Sequence, residues 1–177
     1  MITITISGTP GSGKSTVAEI LYEQLDISYV YSGMLFRNLA EQYNMSLAEF
    51  GKYCEQHEHV DREIDEKQVE ILRKGNVLLE GRLSGWLAHQ QKIDAIKIMI
   101  IADEKIRAER IVCREGGSVE VRLVEMKQRE ESERKRYLTY YNIDITDTSI
   151  YDILIDSSDK TPEEIVEIIV STIKKKD

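Results

Sequence analysis

The sequence predicts an α/β fold in which a parallel sheet of about five strands carries helices on both faces. Three observations predict it. Short apolar or alternating runs occur at 2–7 (ITITIS), 28–31 (SYVY), 76–80 (NVLLE), 95–102 (AIKIMIIA) and 151–155 (YDILI). Helical patterns lie between them, and strands that alternate with helical segments favour parallel pairing through crossovers. A glycine-rich turn follows the first run directly and opens the first helical stretch.

That turn reads GTPGSGKST, residues 8–16. Gly8, Gly13, Lys14 and Ser15 fill the fixed positions of G-x-x-x-x-G-K-[ST], in the strand, loop, helix order that a phosphate cradle requires. Thr9, Pro10, Gly11 and Ser12 form the loop, whose backbone N–H groups can turn inward. Lys14 adds a mobile positive charge, and the helix start KSTVAEILYEQL contributes its dipole. Ser15 is left to ligate Mg2+. Residues 8–16, Thr16 included, are therefore the expected nucleotide-binding segment of a P-loop protein.

Between the second and third strands lie about 45 residues with helical patterns near 33–43, 46–57 and 61–74, more than one crossover needs. The third strand ends at Glu80 and runs into Gly81, Arg82 and Leu83. A carboxylate and a guanidinium thus reach the carboxyl edge of the sheet beside the P-loop, where ligands bind in such sheets. After the fourth strand, the charged stretch from Asp103 to Asn142 reads as two helices meeting at Gly116–Gly117. In the last helix Thr161 is the expected N-cap, with Pro162 at the first position. Lysines 174–176 suit the C-terminal end of that helix.

With 177 residues the chain has room for one well-buried core, so 1–177 reads as a single domain with insertions. A net charge of −8 and a pI near 5.1 argue against general affinity for nucleic acid or anionic membrane. No apolar run approaches the roughly 20 residues of a membrane span. The chain begins a strand at Ile2 with no basic leader, so a cytoplasmic location is expected. Cys54 and Cys113 lack C-x-x-C spacing, which disfavours a disulfide framework or zinc site. His57 and His59, two apart, face differently on a helix and make a poor metal pair.

A P-loop alone does not separate a kinase from a switch or a motor. Arginine supply is the further clue: Arg37 on the first inserted helix, Arg82 after a strand, Arg129 and Arg136 on the charged helix. Phosphoryl transfer between two anionic substrates needs guanidinium groups converging from several elements. Arg129, Glu133 and Arg136 stand at i, i+4 and i+7, so Glu133 can hold both arginines toward a ligand. The same spacing also fits a solvated helix laced with ion pairs through Glu125, Glu130 and Arg134. Tyr31 and Phe36 suit either stacking on a base or a core, and Trp86 suits packing.

Five stretches, GTPGSGKST, YSGMLFRNLAE, DREIDEKQ, LLEGRLSGW and MKQREESERKRY, together resemble the nucleoside monophosphate kinases, most closely cytidylate kinases of the short archaeal type. The resemblance implies transfer of the γ-phosphoryl group of ATP to CMP or dCMP, with Mg2+. It makes residues about 32–74 a monophosphate-binding insert and about 114–136 a lid hinged at Gly116–Gly117. The face bearing Arg129 and Arg136 then lies open to water until substrates bind. Ser32 and Arg37 contact the acceptor, Arg37 on its α-phosphate, with Phe36 and Gly81 beside them. Arg82 binds the same phosphate or the ribose side, Arg129 bridges the two substrates, Glu133 contacts the acceptor sugar, and Arg136 binds phosphate. Glu80 holds Mg2+ through water, Lys14 stabilises transferred charge, and Arg110 or Arg114 packs on the donor base.

One departure stands out. Bacterial cytidylate kinases carry a cytosine-reading Asp where this chain has Leu83, so base selection falls to other groups such as Asp61 or Arg62; Asp61 alternatively caps a helix. Alternatives are another acceptor (AMP, UMP or a shikimate-like alcohol) or a regulatory ATP-binding module or ATPase. A monomer without nucleic-acid or membrane partners is the family expectation.

Overall fold

In the computed structural model, which describes residues 2–174, the first run becomes β1 (Thr3–Gly8), buried along its whole length. Its alternation sorts two faces. Ile4 and Ile6 enter one core with Val17, Ala18 and Leu21 of α1 (Lys14–Leu25) and Ile165, Val166 and Ile169 of α8 (Pro162–Ile173). Ser7 points the other way, where its Oγ accepts the Gly85 N–H at 3.1 Å under α5 (Ser84–Gln90). Small hydroxyl residues on this side let α5 sit close to the strand.

The sheet is five-stranded and parallel throughout, in the order β2-β3-β1-β4-β5. Its other strands are β2 (Ser28–Tyr31), β3 (Val77–Glu80), β4 (Ile96–Ile101) and β5 (Ile153–Asp156). All five form within two residues of the runs read from the sequence. From β1 the chain moves to the β2 edge, returns as β3 beside β1, then crosses to β4 on the far side of β1. This reversal opens a crevice beyond the carboxyl ends of the strands. Ile6 pairs with Glu80, so β3 delivers its terminal carboxylate level with the start of the P-loop.

The second face of the sheet is covered by α4 (Glu58–Lys74), α5 and α7 (Val119–Tyr141), with Leu72, Val77, Leu79, Leu87 and Tyr137 in one core. Between β2 and β3, α2 (Ser32–Gln42), α3 (Leu47–Cys54) and α4 build a smaller core around Ala40, Phe50, Cys54 and Val60. Helix α4 starts at Glu58, earlier than the expected 61, because His57 takes the cap position and stacks on Tyr53 at 3.8 Å. Asp61 is therefore inside the helix, which excludes the capping role. Cys54 is buried and Cys113 exposed, and neither is in a disulfide.

α6 (Glu104–Glu115) meets α7 through Gly116 and Gly117, whose φ angles are +75° and +91°. A Cβ on Gly116 would touch nothing within 4 Å, so it is the left-handed backbone that requires glycine there. At α8, Thr161 caps as expected: its Oγ1 accepts the Glu164 N–H at 3.3 Å, and the Glu164 carboxylate accepts the Thr161 N–H at 2.7 Å. Lys174 occupies the C-cap; Lys175 and Lys176 lie outside the described residues. No described helix is long and apolar enough to cross a membrane.

The reciprocal cap generates a direct test. Thr161→Ala should lower stability by about 1 kcal/mol, seen as a lower urea midpoint at unchanged slope. An unchanged midpoint would show that the cap contributes nothing.

Candidate active site

The P-loop is shaped by what lies behind it. At Gly11 φ is +74°, and a Cβ would stand 2.5 Å from the Arg107 carbonyl oxygen of α6, so no other residue allows this approach. Arg107 also donates to the Pro10 carbonyl at 3.2 Å and pairs with Glu130 of α7. One turn on, Arg110 grips Ser157 after β5, donating to its Oγ at 2.9 Å and its carbonyl at 2.6 Å. The Ser157 hydroxyl donates in turn to the Ser12 carbonyl at 2.8 Å. Two arginines of α6 thus brace the loop. Arg107 escaped the sequence reading, although its i, i+3 spacing from Arg110 was a visible signal.

Glu80 is fully buried at the sheet edge. Its Oε1 accepts the Ser15 hydroxyl at 2.8 Å and lies 3.9 Å from Lys14 Nζ, while its Oε2 accepts the Tyr29 hydroxyl at 2.7 Å. Tyr29 is a second residue the sequence reading missed. Burial, seconded by the Arg82 guanidinium, pushes the Lys14 ammonium down to about 7 despite the opposing pull of Glu80.

Arg82 donates to the Gly8 carbonyl at 2.6 Å, and its Nε lies 3.2 Å from Glu133 Oε2. The other Glu133 oxygen takes Arg129 Nε at 3.0 Å. Burial works to raise the Glu133 carboxyl, but Arg82, Arg129 and Arg136 outweigh it and hold it below the usual range. The expected Arg129–Glu133–Arg136 trio is thereby corrected to Arg82–Glu133–Arg129. A three-residue step falls about 60° short of a full helical turn, and it swings Arg136 toward α4. There Arg136 pairs with Asp61, its guanidinium carbon 5.4 Å from the Phe36 ring. Glu133 and Arg136 are only 4% and 2% exposed. Neither the solvated-helix reading nor the expectation that Arg136 lies open to water survives that burial.

Arg82, Arg129, Glu133 and Arg136 line one cleft open to solvent. Pro10, Gly11, Lys14 and Ser15 stand at one end, and Asp61, Asp65 and Gln68 of α4 at the other. Tyr31, Ser32, Phe36, Arg37, Gly81, Leu83, Arg114, Arg129 and Arg136 also border it. Arg37 makes no hydrogen bond or ion pair among the described residues, and its guanidinium carbon lies 5.8 Å from the Tyr31 ring. Ser32 donates to the Glu80 carbonyl at 2.9 Å. Phe36 serves both the small core, 4.9 Å from Phe50, and the cleft.

One expected residue falls elsewhere. Arg62 lies on the outer side of α4, paired with Glu58 and donating to the Tyr140 carbonyl at 3.2 Å, because the residue after Asp61 is turned about 100° round the helix. Thr16 is exposed, and Arg110, though engaged by Ser157, stays at the loop, its Nη1 3.7 Å from where a Cβ on Gly13 would stand. Asp65 and Gln68 were not anticipated. Burial raises the Asp65 carboxyl to about 7.

The cleft can hold one anion in the loop and a second among the arginines, with a polar group bound among the α4 side chains. The profile of the cytidylate kinase-like family matches residues 3–159. Cytidylate kinase of Pyrococcus horikoshii is 44% identical over 172 residues, covering 97% of this chain and 88% of that one. Cytidylate kinase of Methanocaldococcus jannaschii is 45% identical over 171 residues, covering 96% of each. An uncharacterized protein from Eubacterium ventriosum superposes with TM-score 0.73 at 21% identity, over 98% of this chain and 99% of its own. Shikimate kinase from Bacteroides thetaiotaomicron does so with TM-score 0.65 at 11% identity, over 98% of each. At such identities the last two share the fold.

The depressed Lys14 makes nucleotide binding proton-linked. A bound triphosphate favours the ammonium and raises its pKa, so at pH 8 ATP binding should take up roughly one proton per site, and at pH 6 almost none. Calorimetry at pH 8 in two buffers of different ionisation enthalpy should give different heats, and Lys14→Met should remove the difference. Equal heats for the wild type at pH 8 would contradict the assignment.

Proposed function

The chain belongs to the cytidylate kinase-like family, and from that premise we propose that it transfers the γ-phosphoryl group of ATP to CMP or dCMP, yielding ADP and CDP or dCDP. The observation that carries this reading is the single cleft in which a complete P-loop faces arginines from α2, the end of β3 and α7. A phosphate acceptor is already nucleophilic and needs positioning and charge neutralisation, whereas a hydroxyl acceptor needs a general base.

Backbone N–H groups within residues 8–16, where Pro10 has none, cradle the donor phosphates, and Lys14 stabilises charge on the transferring group. Arg37, with no hydrogen bond or ion pair among the described residues, takes the acceptor α-phosphate. Arg82 and Arg129, held apart by Glu133, face the space between the substrates, and Arg129 bridges them. Ser32, Gly81 and Phe36 seat the acceptor, with Glu133 and Arg136 behind it, and Arg110 and Arg114 lie on the donor side. A hydrated Mg2+ wants hard oxygens and few protein ligands; the Ser15 hydroxyl and the buried Glu80 carboxylate fit that demand. When bound, the ion neutralises charge on the donor's phosphate oxygens. Arg114 and the first turns of α7 form the lid, closing about Gly116–Gly117 to exclude water. The enzyme works as a monomer in the cytoplasm.

A coupled assay with ATP and a panel of CMP, dCMP, UMP, AMP and shikimate should find CMP and dCMP fastest. Faster phosphorylation of AMP at matched concentration would overturn the acceptor while keeping the kinase. In Arg37→Ala, loss of a charged contact to the acceptor should cut kcat/KM for CMP by about 10- to 100-fold with ATP affinity near wild type. Equal weakening of both substrates would instead make Arg37 structural.

A further inference from the structure

A helix face turned to the interior is ordinarily apolar, yet that of α4 carries Asp61, Asp65 and Gln68, exposed by only 4%, 8% and 3%. They stand at i, i+4 and i+7. Buried polar groups destabilise a protein unless partnered, so the atoms left without partners mark where a ligand belongs. Asp65 is satisfied: Oδ2 accepts the Tyr141 hydroxyl at 2.7 Å, and Oδ1 accepts Gln68 Nε2 at 2.9 Å. Ionised, as it is above its raised pKa of about 7, the Asp65 carboxylate only accepts, so there this bond fixes which end of the Gln68 amide is which. The NH2 end faces Asp65, and the carbonyl oxygen Oε1 must face away from it.

That oxygen is buried with no hydrogen-bond partner. It lies beside Gly81, where a Cβ would stand 3.2 Å from it. Asp61 repeats the pattern, with Oδ1 on Arg136 and Oδ2 buried and unpartnered. Leu83, only 1% exposed, borders the same cleft and supplies shape without hydrogen bonds. Beside one unpaired donor, Arg136 Nε, this end of the cleft therefore offers two unpaired acceptors, and at Gln68 it wants a donor.

We propose that the Gln68 carboxamide, oriented by Asp65, selects the acceptor base by accepting a hydrogen from the exocyclic amino group of cytosine; this rests on the kinase reading above. Uracil carries a carbonyl oxygen where cytosine carries that amino group. Two acceptors then face each other, and the buried Gln68 oxygen stays unpaired, which disfavours UMP. Asp65 is a positioning residue: it never touches the base, and it decides which end of the amide is presented. Tyr141 holds Asp65 in turn.

The test compares kcat/KM for CMP and UMP at saturating ATP in the purified full chain. Gln68→Met keeps the length and removes the acceptor. It should lower the CMP value by about 10- to 100-fold and leave the UMP value within about threefold. Asp65→Asn can donate to Gln68 Oε1 and free the amide to present its NH2 end, so UMP turnover should rise relative to CMP. A merely structural role would depress both acceptors alike. The wild type itself gives a check independent of folding: a CMP analogue with hydrogen in place of the exocyclic amino group should lose as much kcat/KM as Gln68→Met loses with CMP. An analogue turned over as well as CMP, or a CMP-to-UMP ratio in a folded Gln68→Met within threefold of wild type, overturns the proposal. A wild type that phosphorylates neither CMP nor dCMP would instead remove the acceptor reading on which this proposal rests.

Discussion

A carboxylate can be buried among the walls of a phosphate site only if cations surround it, and Glu133 meets that condition. It ties Arg129 on its own helix to Arg82 after β3, and Arg82 ties both to the carbonyl of Gly8 at the end of β1. The sheet edge, the phosphate loop and the long helix are thereby joined through one side chain. Removing one partner from a buried ionic cluster leaves uncompensated charge and costs about 3–5 kcal/mol. The cluster is therefore a structural joint as much as a set of ligand contacts. Its geometry explains why two guanidinium groups stand apart without a ligand to separate them.

The same arrangement reconciles an acidic protein with polyanionic ligands. A net charge of −8 repels polyanions from most of the surface, while the cleft gathers Lys14, Arg37, Arg82 and Arg129 in one place. Low-dielectric walls strengthen that local field. Selectivity for small phosphates over large ones follows from where the positive charge sits and how little of it reaches the surface. At the opposite end the pattern inverts: α4 presents acceptor oxygens. A molecule with phosphate at one end and an amino group at the other matches both.

Features set by neighbours in the chain were legible in the sequence. The P-loop, the strand runs and the Thr161–Pro162 start of α8 depend on residues a few positions apart, and all appear within two residues of their expected bounds. What failed depends on pairing across distance. Nothing in a helical spacing tells Glu133 that its partner is Arg82, 51 positions earlier, or that Arg136 will turn to Asp61. Asp61 and Arg62 looked equivalent because they are adjacent, but only the first faces the cleft. Asp65 and Gln68 were not singled out within DREIDEKQ because their burial is created by α7 and by the end of β3. Tyr29 went unnoticed because an aromatic residue in an edge strand gives no hint that its hydroxyl ends on Glu80.

The close seating of Gly11 on the Arg107 carbonyl has a mechanical consequence. Arg107 belongs to α6, and its side chain also clasps Glu130 on α7. The two helices flanking Gly116–Gly117 are thus fastened to each other, and to the loop, well beyond the glycines. α6 behaves as a fixed jaw mounted on the phosphate loop. Between the glycines and that clasp, Met126 of α7 is buried against Ala108 and Ile111 of α6, so a swing of this arm must part an apolar contact, and its stroke is limited by the clasp at its far end.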